Sequence, residues 1–321
     1  MKKNAVWLLL AITPLVLAAC LLVGAADFTI QDGLTPLLRA ILLLRASRVA
    51  AGFVVGAALA CAGTVLQALL RNPLAEPYVL GVSGGSALGA ALAIFFGAAG
   101  VFILPASAFV AGVLALLIVY LLAHQGGAPS LYALLLSGVI ISSICSSLLM
   151  LIIALAPVEG LHSITWWLLG NLQVTSLPLL AVSATLVLAA FGGLWLMARE
   201  LNALTLGREM AHHLGVRTGL VVTMGLALAT LMTAAAVALA GLIGFVGLIV
   251  PHAMRALLGP DHRRLIPASA LAGGLFLTLA DTLARALIAP IEIPVGVITA
   301  LMGGPFFLVL LRRRRHGEWS E

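Results

Sequence analysis

The sequence predicts an all-α protein: a polytopic helical bundle of about ten transmembrane helices with both termini cytoplasmic. Three observations predict it. The chain is 63% hydrophobic and only 9% charged, with a mean hydropathy of +1.20, whereas a soluble domain averages about 25% charged residues. Apolar runs near the roughly 20 residues that a span requires recur along the chain. They fall at about 5–26, 48–70, 79–97, 101–123, 131–155, 176–198, 216–239, 242–258, 265–288 and 293–311. Finally, Lys and Arg gather at the ends of these runs. Alternating sides from an inside N-terminus puts thirteen basic residues inside and four (Arg39, Arg45, Arg48 and Arg285) outside, the bias expected of cytoplasmic loops.

The net charge of +6 could suit a nucleic-acid partner, but its placement at span ends reads as topology signalling. The expected medium is the lipid bilayer, with no nucleic acid. Cys20, Cys61 and Cys145 lie in apolar runs without metal-like spacing, so no metal site is expected. No soluble domain, long linker or strong internal repeat is visible, and residues 1–321 read as one transmembrane domain.

The first run admits two readings. Leu17-Ala18-Ala19-Cys20 resembles a lipoprotein cleavage site, but the apolar stretch continues to Ala26, long enough for a span. The span is the reading adopted. Before the second run, Arg45 and Arg48 stand three apart and share a face if helical. Interfacial snorkelling is their plainest role; docking of an acidic partner is the functional one.

The segment RNPLAEPYVLGVSGGSALGA, 71–90, follows. Pro73 and Pro77 prevent a continuous helix, and Asn72, Pro73 and Pro77 are candidates for a cytoplasmic loop or gate. Residues 124–130 are a second candidate for inner closure.

The interior stretch with the most charge is ARELNALTLGREMAHHLGVR, 198–217. Ala203, Leu206, Met210 and Leu214 recur at helical spacing, Glu209 and His213 stand four apart on a polar face, and Gly215 is placed to end the helix. This is either an ordinary interfacial helix or a docking helix for a cytoplasmic partner. Further on, Gly241, Gly244 and Gly247 suit close helix packing. His252 is a candidate ligand or proton carrier, although hydrogen-bonded packing is the commoner role. Asp281 is the most embedded acid, four residues from Arg285, and structural pairing is favoured over a transport role.

Four stretches in order, RASRVAAGFVVGAALACAG, QALLRNPLAEPYVLGVSGGSALGA, GFVGLIVPHAMR and EIPVGVITALMGGPFF, resemble the FecCD family from about residue 45 to 311. These are permease subunits of type II bacterial ABC importers for ferric siderophores, haem and vitamin B12. The resemblance implies a multi-pass protein of the bacterial inner membrane. It implies a second permease copy, two cytoplasmic ATP-binding subunits and one periplasmic substrate-binding protein as partners. ATP and Mg would be bound by the partner ATPase, with no cofactor and no catalysis in this chain.

The resemblance makes 202–215 the coupling segment, with Asn202, Leu204, Leu206, Gly207, Arg208, Glu209, Met210, Ala211, His212, His213 and Gly215 as its residues. Glu209-Met210-Ala211 with Gly215 fits the Glu-Ala-Ala-x-x-x-Gly loop of such permeases; Met210 and the His212-His213 pair depart from the commoner residues. It also implies binding-protein docking through Arg45, Arg48 and Arg285. The fifth span, with Ser137, Ser142, Ser143, Ser146 and Ser147, would line the pathway.

One independent argument agrees. A P-loop needs a lysine after its glycines, and the only lysines are Lys2 and Lys3. ATP hydrolysis, if it drives transport, belongs to another chain. The alternative is an ion-coupled secondary transporter, for which Asp281 is the only serious carrier. Which ligand is moved is not written in this chain; an iron complex is favoured over a corrinoid, and a homodimer over a heterodimer.

Overall fold

The computed structural model describes residues 5–23, 35–98, 100–125, 128–173, 176–288 and 290–315. Lys2 and Lys3, residues 24–26 of the first expected span and 126–127 of the expected inner loop lie outside them. The described helices are α1 (Ala5–Leu22), α2 (Pro36–Leu69), α3 (Val82–Phe95), α4 (Ile103–Ala123), α5 (Leu131–Leu155), α6 (Val158–Leu168) and α7 (Leu177–Leu196). They continue with α8 (Ala198–Thr205), α9 (Arg208–His213), α10 (Thr218–Ala240), α11 (Val246–Leu258), α12 (His262–Ala286) and α13 (Val295–Arg315). A two-residue antiparallel pair, β1 (His124–Gln125) with β2 (Ala128–Pro129), joins α4 to α5.

Six of these helices, α2, α4, α5, α7, α10 and α12, are long and apolar enough to cross a membrane; α1, α3, α11 and α13 are shorter apolar helices. The protein is an all-helical, multi-pass membrane protein. Cys20 lies inside α1 and is buried, so the helix runs through the site that resembled a cleavage signal.

The second helix begins at Pro36, not near residue 48, and takes Arg39, Arg45 and Arg48 into its first turns. Thr35 caps it, accepting the Leu38 N–H at 3.2 Å. Sequence reading also passed over α6, an amphipathic helix in which Glu159, His162 and Ser163 interrupt the apolar pattern.

At the centre stands α2, packed between α12, α10 and α11. Small residues permit this. The Gly273 carbonyl occupies the place a Cβ on Gly56 would take, and the Gly247 carbonyl does the same at Gly63. In a bilayer, helices associate through such close backbone contact, because lipid tails are as apolar as leucine. Pro251 contributes: lacking an N–H, it leaves the Gly247 carbonyl without its helical donor, and that carbonyl turns to Gly63. Pro267 likewise frees the Arg263 carbonyl, which the Trp195 indole N–H satisfies at 3.1 Å.

The chain between α10 and α11 is unwound at residues 241–245. The loop after α2 braces this break. Tyr78 Oη donates to the Ile243 carbonyl and accepts the Ile243 N–H, both at 3.0 Å. Glu76 Oε1 accepts the Phe245 N–H at 2.7 Å, and Phe245 has φ of 68°, unusual for a bulky residue. Burial pushes the Glu76 carboxyl above its ordinary range, against the pull of the Phe245 N–H.

Candidate functional site

Two polar sites flank the apolar stretch of α2, one beyond its C-terminal end and one around Arg45 and Arg48 in its third and fourth turns. One is built by α8 and α9. The former places Ala198, Leu201 and Leu204 at three-residue spacing, and all three are buried. Asn202 pins this helix to the start of α12. Its Nδ2 donates to Asp261 Oδ1 at 2.8 Å, and its Oδ1 accepts the His262 backbone N–H at 2.8 Å and lies 2.7 Å from His262 Nδ1. Asp261 caps α12 and is held below the usual carboxylate range, first by its hydrogen bond with Arg263.

The expected single helix across 198–217 is two. At Gly207 the backbone has φ 113° and ψ 152°, a region open in practice only to glycine, and the chain turns sharply into α9. That helix ends in a Schellman motif: the Gly215 N–H reaches the His212 carbonyl and the Val216 N–H the Ala211 carbonyl, at 2.9 and 3.0 Å. Gly215 supplies the left-handed φ of 81° that this turn needs.

The structure therefore sorts the coupling candidates. Asn202, Leu204 and Ala211 hold the segment onto the body, whereas Leu206, Glu209, Met210, His212, His213 and Gly215 face outward. Arg208 Nη2 donates to the Pro129 carbonyl at 2.8 Å, tying α9 to the β-pair before α5.

On the other side of the apolar stretch of α2, the three arginines expected to dock a partner are buried. Arg48 clasps Asp281, with Nη2 to Oδ1 at 2.9 Å and Nε to Oδ2 at 3.0 Å, and reaches Glu292 through Nη1 at 2.8 Å. Arg285 donates to Asp281 Oδ2 at 3.1 Å and to the Val23 carbonyl at 3.3 Å. Arg45 donates to the Leu21 and Leu22 carbonyls at 3.3 Å. The last carbonyls of a helix have no internal donor, and the negative end of its dipole favours cations. The arginines thus close the end of α1 and bind it to α2 and α12. The i,i+4 pairing of Asp281 with Arg285 was legible in sequence; the cross-helix contact with Arg48 was not. With both oxygens engaged by guanidinium groups, Asp281 is poorly placed to carry a proton or sodium ion.

Of the serines on α5, Ser143, Ser146 and Ser147 are exposed. Ser143 and Ser147 each donate to the carbonyl one turn back, at 2.9 and 3.0 Å. Ser137 and Ser142 are half-buried, and Ser142 backs onto Gly84 of α3. Asn72 Oδ1 accepts the Leu74 N–H at 2.9 Å, and Pro73 beside it is half-buried. Pro77 is buried and packs on Gly247. Near the arginine cluster, a cavity of about 870 Å³ opens between α6, the α3–α4 turn and the end of α10, lined by Ile94, His162, Trp166, Trp167, Gln173 and Leu239 among others. The His162 and Trp166 rings stack at 5.9 Å. Among the described residues no group of three His, Cys, Asp or Glu side chains is arranged to hold a metal.

A family model described as the FecCD transport family matches residues 9–313. The chain belongs to the FecCD transport family. A cobalamin import system permease of Halobacterium salinarum is 44% identical over 278 residues, covering 84% of this chain and 73% of that relative. A hemin transport system permease of Yersinia pestis is 41% identical over 281 residues, covering 85% and 83%. A solved structure, described as an inward-facing conformation of a metal-chelate type ABC transporter, matches with a TM-score of 0.88 and 33% identity. It covers 97% of this chain and 99% of that one. The fold of this chain thus recurs in that solved structure over nearly the full length of both chains.

Proposed function

We propose that this FecCD chain is the permease subunit of an ATP-driven importer that moves an iron complex or a corrinoid into the cytoplasm by alternating access. The observation that carries the reading is the α8–α9 segment. It is anchored on one face by Leu201, Leu204 and Ala211 and presents Leu206, Glu209, Met210 and the two histidines on the other. Exposed apolar and charged groups on a rigid, capped turn suit docking of a soluble ATP-binding partner. Two such partners, a second identical permease copy and one periplasmic binding protein complete the proposed assembly, in the inner membrane of the cell. ATP and Mg belong to the ATP-binding partners.

The relatives above are named for different ligands, cobalamin and hemin, so substrate class is argued from the cavity. Trp166, Trp167 and His162 give it flat faces that suit a large conjugated ring. The exposed serines of α5 offer a weakly polar wall to a ligand that must not stick. Docking of the binding protein is assigned to the surface around the arginine cluster, since the guanidiniums of Arg45, Arg48 and Arg285 are committed inside the chain.

The test is purification of the tagged chain from native membranes in mild detergent, with mass spectrometry of what accompanies it. A co-purifying chain with a P-loop is expected, and it is lost when Glu209 and Gly215 are both changed to Arg. A monodisperse permease that retains no ATP-binding chain even after cross-linking overturns the reading and returns weight to ion coupling.

A further inference from the structure

We propose that Arg71 and Arg208 together form a receptor for a carboxylate side chain of the docking ATP-binding partner, seated in the cavity beside the α8–α9 break. This rests on the docking reading above and names the chemistry of the contact.

Both arginines line a cavity of about 680 Å³ together with Gly207, Glu209 and Met210. Arg71 follows the end of α2 with φ of 47°, a conformation uncommon outside glycine. It brings Nη1 to 3.3 Å from where a Cβ on Gly207 would stand. Arg208 begins α9 at the next residue. Its Nη2 is used by the Pro129 carbonyl, but its Nε is buried with no hydrogen-bond partner. Among the described residues neither guanidinium makes an ion pair; the pairs present join Arg48, Arg263 and Arg285 to their acids. Burial, and then the charge of Arg71, hold Arg208 below its ordinary value. Two neighbouring positive charges, one with a buried unused N–H, are complementary to a carboxylate, whose two oxygens accept from both.

The occupant is a protein side chain because of what surrounds it. Leu206 and Met210, 66% and 53% exposed, stand on the wall of the same cavity. A protein surface covers such groups, whereas a small anion leaves them bare. Engagement has a route inward. Arg208 holds Pro129, and the next residue, Ser130, caps α5 by accepting the Ala133 N–H at 3.5 Å. A partner that draws on Arg208 therefore draws on the entry of α5.

The test uses the intact assembly, expressed from its own genes and reconstituted in nanodiscs, and reads the amount of ATP-binding subunit retained as NaCl is raised. Arg71→Glu and Arg208→Glu are each expected to lower retention about tenfold, a difference of about 1.4 kcal/mol. Arg71→Lys keeps most of it. An acidic residue of the subunit, located by cross-linking from Arg71→Cys, restores binding to Arg71→Glu when it is changed to Lys. Wild-type retention by both charge reversals, alongside loss with Met210→Arg, leaves docking intact and overturns the receptor. Full retention by Met210→Arg as well removes the docking reading itself. Loss from the wild-type assembly on replacing anionic lipid with neutral lipid assigns the pocket to a lipid phosphate and also overturns the proposal. Should Arg208→Glu fail to fold, Arg71→Glu decides, since the Arg71 side chain makes no hydrogen bond within the described residues.

Discussion

Arginines meet α2 at two levels, around Arg48 and just beyond Leu69, in opposite circumstances. From Arg48 to the end of the helix at Leu69 is about 32 Å at 1.5 Å per residue, close to the thickness of a bilayer core. At one level Arg48 and Arg285 share Asp281, Glu292 assists, and Arg45 closes the carbonyls of α1. Three buried guanidiniums meet two carboxylates and the last carbonyls of α1 there. At the other level Arg71 and Arg208 share a cavity with Glu209 but, among the described residues, form an ion pair with no acid. The same side chain therefore serves as an internal tie at one level, and at the other it is left out of any ion pair among the described residues. Composition alone ranks the two sets as equal; only the three-dimensional pairing with carboxylates separates them.

The sharpest way to break this contrast is to remove the shared acid. Asp281→Asn leaves two buried guanidiniums around an uncharged amide. It is expected to destabilise the folded protein by about 3–5 kcal/mol, read as a drop in the detergent melting temperature. Adding Arg285→Gln should recover part of that loss, because one orphaned charge goes with it. A D281N protein as stable as wild type would mean that the cluster is not the tie described here. For the same reason, loss of uptake by this variant does not by itself signal ion coupling; dependence of uptake on a proton or sodium gradient does.

A smaller effect is expected where α8 meets α12. Asn202→Ala removes the amide shared by Asp261 and His262 and leaves buried His262 polar groups unpaired. A loss of about 1–3 kcal/mol follows, with hydrogen exchange accelerating in α8 and α9 before the rest of the bundle. Unchanged exchange in these helices would show that the apolar face alone holds the segment.

The smallest effect is pH-dependent. The Asp261 carboxyl is held below its usual range by Arg263 and Asn202. Its folded value is therefore lower than its unfolded one. The stability it adds is present above about pH 4, the ordinary aspartate value, and fades as pH falls below that. The melting gap between wild type and Asp261→Asn should be widest near neutrality and close in acid. A gap that widens on acidification would contradict the assignment. Its partner Arg263 is largely exposed, which keeps the effect modest.

Much of the bundle was legible because spans announce themselves by length and hydropathy. The limits of that legibility are specific. The start of α2 was placed twelve residues late because Arg39, Arg45 and Arg48 look like the edge of a span; Arg45 and Arg48 are met by groups far away in sequence, the α1 carbonyls and Asp281 with Glu292. Helix α6 was missed because its polar residues break the apolar run. The turn at Gly207 was hidden by Ala203, Leu206, Met210 and Leu214, whose spacing suits one helix equally well. The polar α8–α9 segment itself stood out, since charge in an apolar chain is conspicuous. Which of its residues face inward was not, because Leu204 and Leu206 differ only in what packs beside them. The link from Glu76 to Phe245 has no local signature at all.

That link bears on how the chain is made. Tyr78 and Ile243 are 165 residues apart, and Glu76 and Phe245 are 169. At a synthesis rate of roughly 5–20 residues per second, the loop after α2 waits about 8–33 seconds for the segment that completes it. During that interval the Glu76 and Tyr78 side chains lack the backbone groups of Phe245 and Ile243 that they finally bind. The N-terminal half is therefore inserted well before it is assembled, and the bundle closes around its central helix only when the late helices arrive.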